Sequence, residues 1–121
     1  MIKIDVPYIN QSEKYPTGCE SVTTVMLLHY LGYDISVDDF IKNNLKMRDF
    51  ETRDGMLYGP DPWEYFVGSP YDPDSFGCYA PVICEALEKI VGDTYEVCDE
   101  TGKDLDELVE TYLKQDMPVI L

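Results

Sequence analysis

Apolar and polar positions change rhythm several times along this chain. Ile2, Ile4 and Val6 alternate with Lys3 and Asp5 and stop at Pro7, a period of two that predicts a short strand. Residues 8–18 have no period and are stiffened by Pro16, which predicts a loop. From Cys19 to Leu31 the spacing turns helical. Val22, Val25, Met26, Leu27, Leu28 and Leu31 cover well over half the circumference, so this helix is expected at the centre of the fold. Gly32 is placed to cap it.

Ser36 followed by Asp39 reads as a variant capping box opening a second helix that runs to about Leu45. The stretch from Arg48 to Ser75 shows neither period. It mixes glycines and prolines with Tyr58, Trp63, Tyr65, Phe66 and Tyr71, which predicts a long irregular loop held in order by its aromatics. A third helix is predicted over Tyr79 to Val91, ending at Gly92, with Val82, Ile83, Ala86, Leu87 and Ile90 inward. Tyr95 and Val97 flank Glu96 in a predicted strand. Asp104 is placed to cap a fourth helix from Leu105 to Gln115, and Pro118 to Leu121 reads as the start of an apolar strand.

At 121 residues the chain is one domain or one lobe, long enough to bury a core. Its 24 acidic residues against 9 basic ones give a net charge of -15. That field repels phosphate backbones and anionic lipid, so nucleic acid and membrane surfaces are not expected partners. The acidic residues are scattered. Their ordinary role is a solvated surface, and the sharper alternative is a preference for basic peptide segments. The four cysteines form no C-x-x-C pair, and the chain has one histidine. No zinc pattern follows, no calcium loop surrounds Asp72 and Asp74, and no metal or organic cofactor is expected. No apolar run approaches membrane-spanning length, and the first residues carry no signal-peptide pattern. A cytoplasmic location is the default expectation, and an extracellular one follows if the sequence is trimmed at its start.

Chemistry concentrates between Gln11 and Leu31. A cysteine in the first turn of a buried helix meets unpaired N–H groups and the positive end of the macrodipole, which favour a thiolate. Gly18 removes a side chain beside Cys19, so a substrate backbone has room to approach. Gln11, on the incoming loop, has an amide that can donate to an oxyanion together with the backbone N–H of Cys19. On the residues alone a second reading stands beside this one: a buried cysteine that acts as a small hydrophobe. Cys78, Cys84 and Cys98 read as packing.

The segments V-P-Y-I-N-Q, Y-P-T-G-C-E-S-V, M-L-L-H-Y-L-G-Y-D-I-S-V-D-D-F-I and G-C-Y-A-P-V-I resemble the stand-alone relatives of the bacteriocin-processing (double-glycine) cysteine peptidases. The resemblance runs from about Ile4 to Leu121. It implies an α+β, papain-like fold, of which this chain would hold the helical lobe and the start of the antiparallel sheet. It also implies Cys19 as nucleophile, Gln11 as oxyanion support, and a peptide or protein as substrate. The bacteriocin-processing branch has Asp-Cys-Gly where this chain has Gly18-Cys19-Glu20, which leaves the substrate class open.

In that family a histidine on a later strand takes the thiol proton, and an Asp or Asn orients it. Those positions fall after Val119, and the sequence given ends at Leu121. His29 is no substitute, because ten residues of helix separate it from Cys19 by ~15 Å, far beyond hydrogen-bond reach. It reads as a satisfied boundary imidazole. Within Asp54 to Ser75, the rings of Trp63, Tyr65 and Phe66 could wall a substrate cleft, or simply pack on the helices. The rival expectation is a peptide-binding or assembly module without catalysis. An unpaired edge at Val119–Leu121 would also favour pairing with a second copy.

Overall fold

The computed structural model describes residues 1–121, and four helices carry its core. α1 spans Cys19–Tyr30, α2 Val37–Asn43, α3 Ala80–Val91 and α4 Leu105–Thr111. α1 packs against both α2 and α3. Its buried side is Val22, Val25 and Leu28 together with Ser21 and Thr24, while Met26 and Leu27 are only half-buried. The Thr24 hydroxyl donates back to the Glu20 carbonyl at 2.6 Å. The Ser21 hydroxyl is fully buried and has no partner.

Capping follows the sequence closely. Gly32 adopts φ +91°, and the N–H groups of Gly32 and Tyr33 return to the carbonyls of His29 and Leu28, closing α1 in a Schellman motif. The Ser36 hydroxyl accepts from the Asp39 N–H at 3.1 Å, one half of a capping box. At α4 both halves form, between Asp104 and Glu107. α4 is shorter than its apolar spacing predicts. It ends at Thr111 and passes into a 3-10 turn over Leu113–Gln115. Phe40 and Ile41 of α2, Val82 and Ala86 of α3, and Phe66 complete the core against α1.

The stretch after Arg48 is more regular than expected. β2 (Glu51–Arg53) and β3 (Met56–Tyr58) form an antiparallel hairpin, with Arg53 opposite Met56. The turn is Asp54-Gly55, with φ of 51° and 76°. Two successive positive φ values are the type I′ geometry that matches strand twist, so the Asp-Gly pair was a legible hairpin signal. β1 (Met47–Arg48) pairs in parallel with β4 (Phe66–Val67), and Phe66 and Val67 are both buried.

Three predicted strands do not form. Residues 2–6, 95–97 and 119–121 join no ladder. Alternation marks a side that packs, whereas a strand also needs a neighbouring backbone. Tyr95, Val97 and Ile120 do pack on the core, without that pairing.

Candidate active site

Cys19 opens α1, and its side chain is exposed. Gly18 is the N-cap and offers no side-chain cap to the first turn. The glycine is needed for packing: a Cβ there would lie 2.8 Å from the Tyr15 Cβ and 3.3 Å from that of Pro70. The space that Gly18 vacates is therefore filled by the protein itself. Thr17 is stitched to the 69–72 loop, its hydroxyl reaching the carbonyls of Ser69 (3.1 Å) and Asp72 (2.8 Å).

Gln11 is anchored at the same place. Its Nε2 donates to the Tyr15 carbonyl at 2.6 Å, and the Gly18 N–H donates to that same oxygen at 3.1 Å. One carbonyl thus joins the glutamine to the residue before Cys19. Below it, Asp38 at the start of α2 gathers three donors: Lys14 Nζ at 2.7 Å, Tyr15 Oη at 2.9 Å and Tyr71 Oη at 2.6 Å. The Tyr15 and Tyr71 rings lie 5.5 Å apart, so Asp38 binds the approach loop and the 68–75 loop to one point. Lys14, Tyr71 and Tyr15 hold the Asp38 carboxyl well below the usual carboxylate range.

The thiol itself differs from expectation. Partial burial raises the Cys19 pKa above its ordinary value, and the Glu20 carboxylate adds to this by hydrogen bond and charge. The backbone N–H groups of Cys19 and Glu20 pull the other way and are outweighed. Cys19 Sγ donates to Glu20 Oε2 at 3.1 Å. The helix terminus favours a thiolate as the sequence implies, but partial burial, and after it the adjacent carboxylate, outweighs it and favours the thiol. Cys78 lies nearby. Burial, then Glu20, then Cys19 push its thiol up to about 12.

The loop aromatics divide. Trp63 is exposed and meets Tyr79, the N-cap of α3, with ring centroids 4.7 Å apart; Phe76 meets the same tyrosine edge-on at 6.1 Å. Tyr65 turns elsewhere, under Lys46 Nζ at 4.6 Å and near Arg48, and Phe66 is core. Trp63 and Tyr65 thus belong to different surfaces. A cavity of about 240 Å³ is bounded by Met47, Arg48, Asp49, Gly68, Ser69 and Asp72. Cys19 does not line it. His29 Nε2 is 2.7 Å from the Ile35 carbonyl, the satisfied boundary role its spacing implied. No three His, Cys, Asp or Glu side chains group as metal ligands, and no helix is long and apolar enough to cross a membrane.

Sequence reasoning missed Glu20, although its place beside Cys19 was visible. It also missed Asp38, whose partners lie 23 to 33 positions away for the two tyrosines and leave no local pattern.

An exposed cysteine opening the central helix of a mixed α and β unit, with a glutamine tied to the loop before it, defines the class: a papain-like, cysteine peptidase-like domain of α+β fold. The particular family follows from comparison. The Peptidase C39 like family matches residues 3–121, and the chain belongs to it. Among solved structures it is similar to the crystal structure of a candidate C39-like peptidase from Bacillus anthracis, with TM-score 0.75 and 29% identity over 91% of this chain. The chain spans about half of that structure, 53% of its length. No curated protein matches.

Proposed function

We propose that this domain belongs to a thiol peptidase or amidase in which Cys19 attacks a peptide carbonyl. In this reading the Cys19 sulfur forms a bond to the carbonyl carbon. The backbone N–H of Cys19 and the second hydrogen of the Gln11 carboxamide hold the oxyanion, and the amine then leaves with a proton from a general acid. The supporting observation is the shared Tyr15 carbonyl, which ties the Gln11 amide to the residue preceding an exposed thiol. The resting thiol is protonated and bonded to Glu20, so attack requires a base. His29 is committed to the Ile35 carbonyl, and in this reading it is not that base.

Peptide hydrolysis by the protein tests the proposal. Cys19→Ser should abolish turnover, and Gln11→Ala should lower kcat by about 10²–10³ if the amide supports the oxyanion. Full turnover by Cys19→Ser would end the peptidase reading. The protonated, Glu20-bound thiol also favours a second reading, a peptide-binding module without hydrolysis. That module would bind peptides equally well with Ser at position 19.

A further inference from the structure

We infer that Glu20, together with the exposed rings of Trp63, Phe76 and Tyr79, recognises an arginine or lysine side chain of the peptide presented to Cys19. This rests on the proposed function and names its substrate class. The parts are contiguous. Gly77, between Phe76 and Cys78, has φ +105°, and a Cβ there would stand 2.9 Å from Glu20 Oε1. A glycine backbone therefore lets the carboxylate settle directly beside the aromatic segment. Tyr79 follows two residues on, and its N–H donates to the Pro62 carbonyl at 3.0 Å, fixing Trp63 beside it.

Isolated exposed hydrophobics are normal on a surface and carry no message. Trp63 and Phe76 each meet Tyr79, and all three are more than two-fifths exposed: Trp63 at 52%, Phe76 at 60% and Tyr79 at 43%. The carboxylate beside them is half-buried, and no lysine or arginine of this chain lies within ion-pair distance of it. A carboxylate without a cationic partner, set against the Gly77 backbone between exposed Phe76 and Tyr79, suits one kind of guest: a cation that ion-pairs at its tip and lays its stem or guanidinium plane on the rings. The net charge of -15 draws such guests in. The same cation would offset the part of the Cys19 shift that comes from Glu20, so a correct peptide would favour the thiolate as it binds.

Trp63 is the chain's one tryptophan, so its fluorescence reports directly on this surface. The 121-residue chain is titrated with acetyl-Ala-Ala-Arg-Ala-amide and with the same peptide carrying citrulline, which keeps shape and loses charge. The arginine peptide should bind about tenfold tighter, and the gap should narrow with added salt. Glu20→Gln should erase the difference, and Phe76→Ala, at an exposed position that folding tolerates, should weaken the arginine peptide. Equal binding of the two peptides, no binding of either, or a preference that survives Glu20→Gln would each overturn the inference. The peptidase reading fails separately. Arginine-selective binding without hydrolysis would sink that reading alone, and hydrolysis blind to charge would sink only this one.

Discussion

The Cys19 thiol donates to the carboxylate of its own neighbour, Glu20, at 3.1 Å. The proposed nucleophile is thus paired with a group that stabilises its protonated form. At neutral pH the domain holds a resting thiol, and the factors opposing ionisation are partial burial and the Glu20 charge.

The first prediction follows from that pairing. Alkylation of Cys19 by iodoacetamide, read by peptide mapping, should be no faster at neutral pH than that of an ordinary cysteine. Its rate should keep rising past the usual thiol pKa of about 8.5. Glu20→Gln removes the charge, so its profile should shift to lower pH and its neutral rate should increase severalfold. A wild-type rate that is fast and flat near neutrality would show a thiolate already formed.

A second prediction concerns pH and the Asp38 cluster. Asp38 has a folded pKa below its unfolded value, so its contribution to stability is present above the ordinary carboxylate pKa of about 3.9 and is lost as pH falls through the lowered folded value. Tyr71 and Tyr15 are raised, by burial first and by Asp38 second. Their contribution is present below about pH 10 and is lost as pH rises through their raised values. Both the acid and alkaline edges of stability therefore trace partly to one carboxylate. Urea unfolding across the pH range should show both edges flattened in Asp38→Asn. Edges of unchanged steepness would mean the cluster is not coupled to folding.

What could be read in advance divides along physical lines. α1, α2 and α3 were legible because a helix satisfies its own backbone, so periodicity and caps such as Ser36 and Gly32 suffice. The strand expected at residues 2–6 failed because pairing depends on a partner that alternation cannot show. The β2–β3 hairpin was missed in spite of Asp54-Gly55, since glycine and proline nearby suggested irregularity. Cys19, Gln11 and their shared loop were visible as a motif. The state of the thiol was not, because it depends on how far the sulfur is buried and on how the Glu20 side chain folds back. The contrast between Trp63 and Tyr65 depends on tertiary contacts alone.

Ser21 gives a third prediction. Its hydroxyl is fully buried on α1 without a partner, and an unsatisfied buried polar group costs about 1–3 kcal/mol. Ser21→Ala removes that cost and improves helix propensity. The variant should be more stable by roughly 1 kcal/mol in urea unfolding. A destabilised Ser21→Ala would show that the hydroxyl makes a bond, for example through buried water, that the folded chain relies on.

The last prediction separates the two halves of the 48–75 stretch, which look alike in sequence. Phe66 is completely buried, in the strand paired with Met47, whereas Leu57 on β3 is 68% exposed. Truncating a buried phenylalanine removes its transfer energy and leaves a cavity, so Phe66→Ala should cost about 3–5 kcal/mol. Leu57→Ala should change stability by no more than about 0.5 kcal/mol, as exposed positions usually do. Because Phe66 lies between the 60s segment carrying Trp63 and the loop that grips Thr17, its loss should also loosen the approach to Cys19. Hydrogen exchange in Phe66→Ala should therefore speed up at residues 68–72 and 15–18, whereas Leu57→Ala leaves both segments protected. A Phe66→Ala variant of wild-type stability would mean that the segment is only laid over the helices and contributes nothing to the core that positions the thiol.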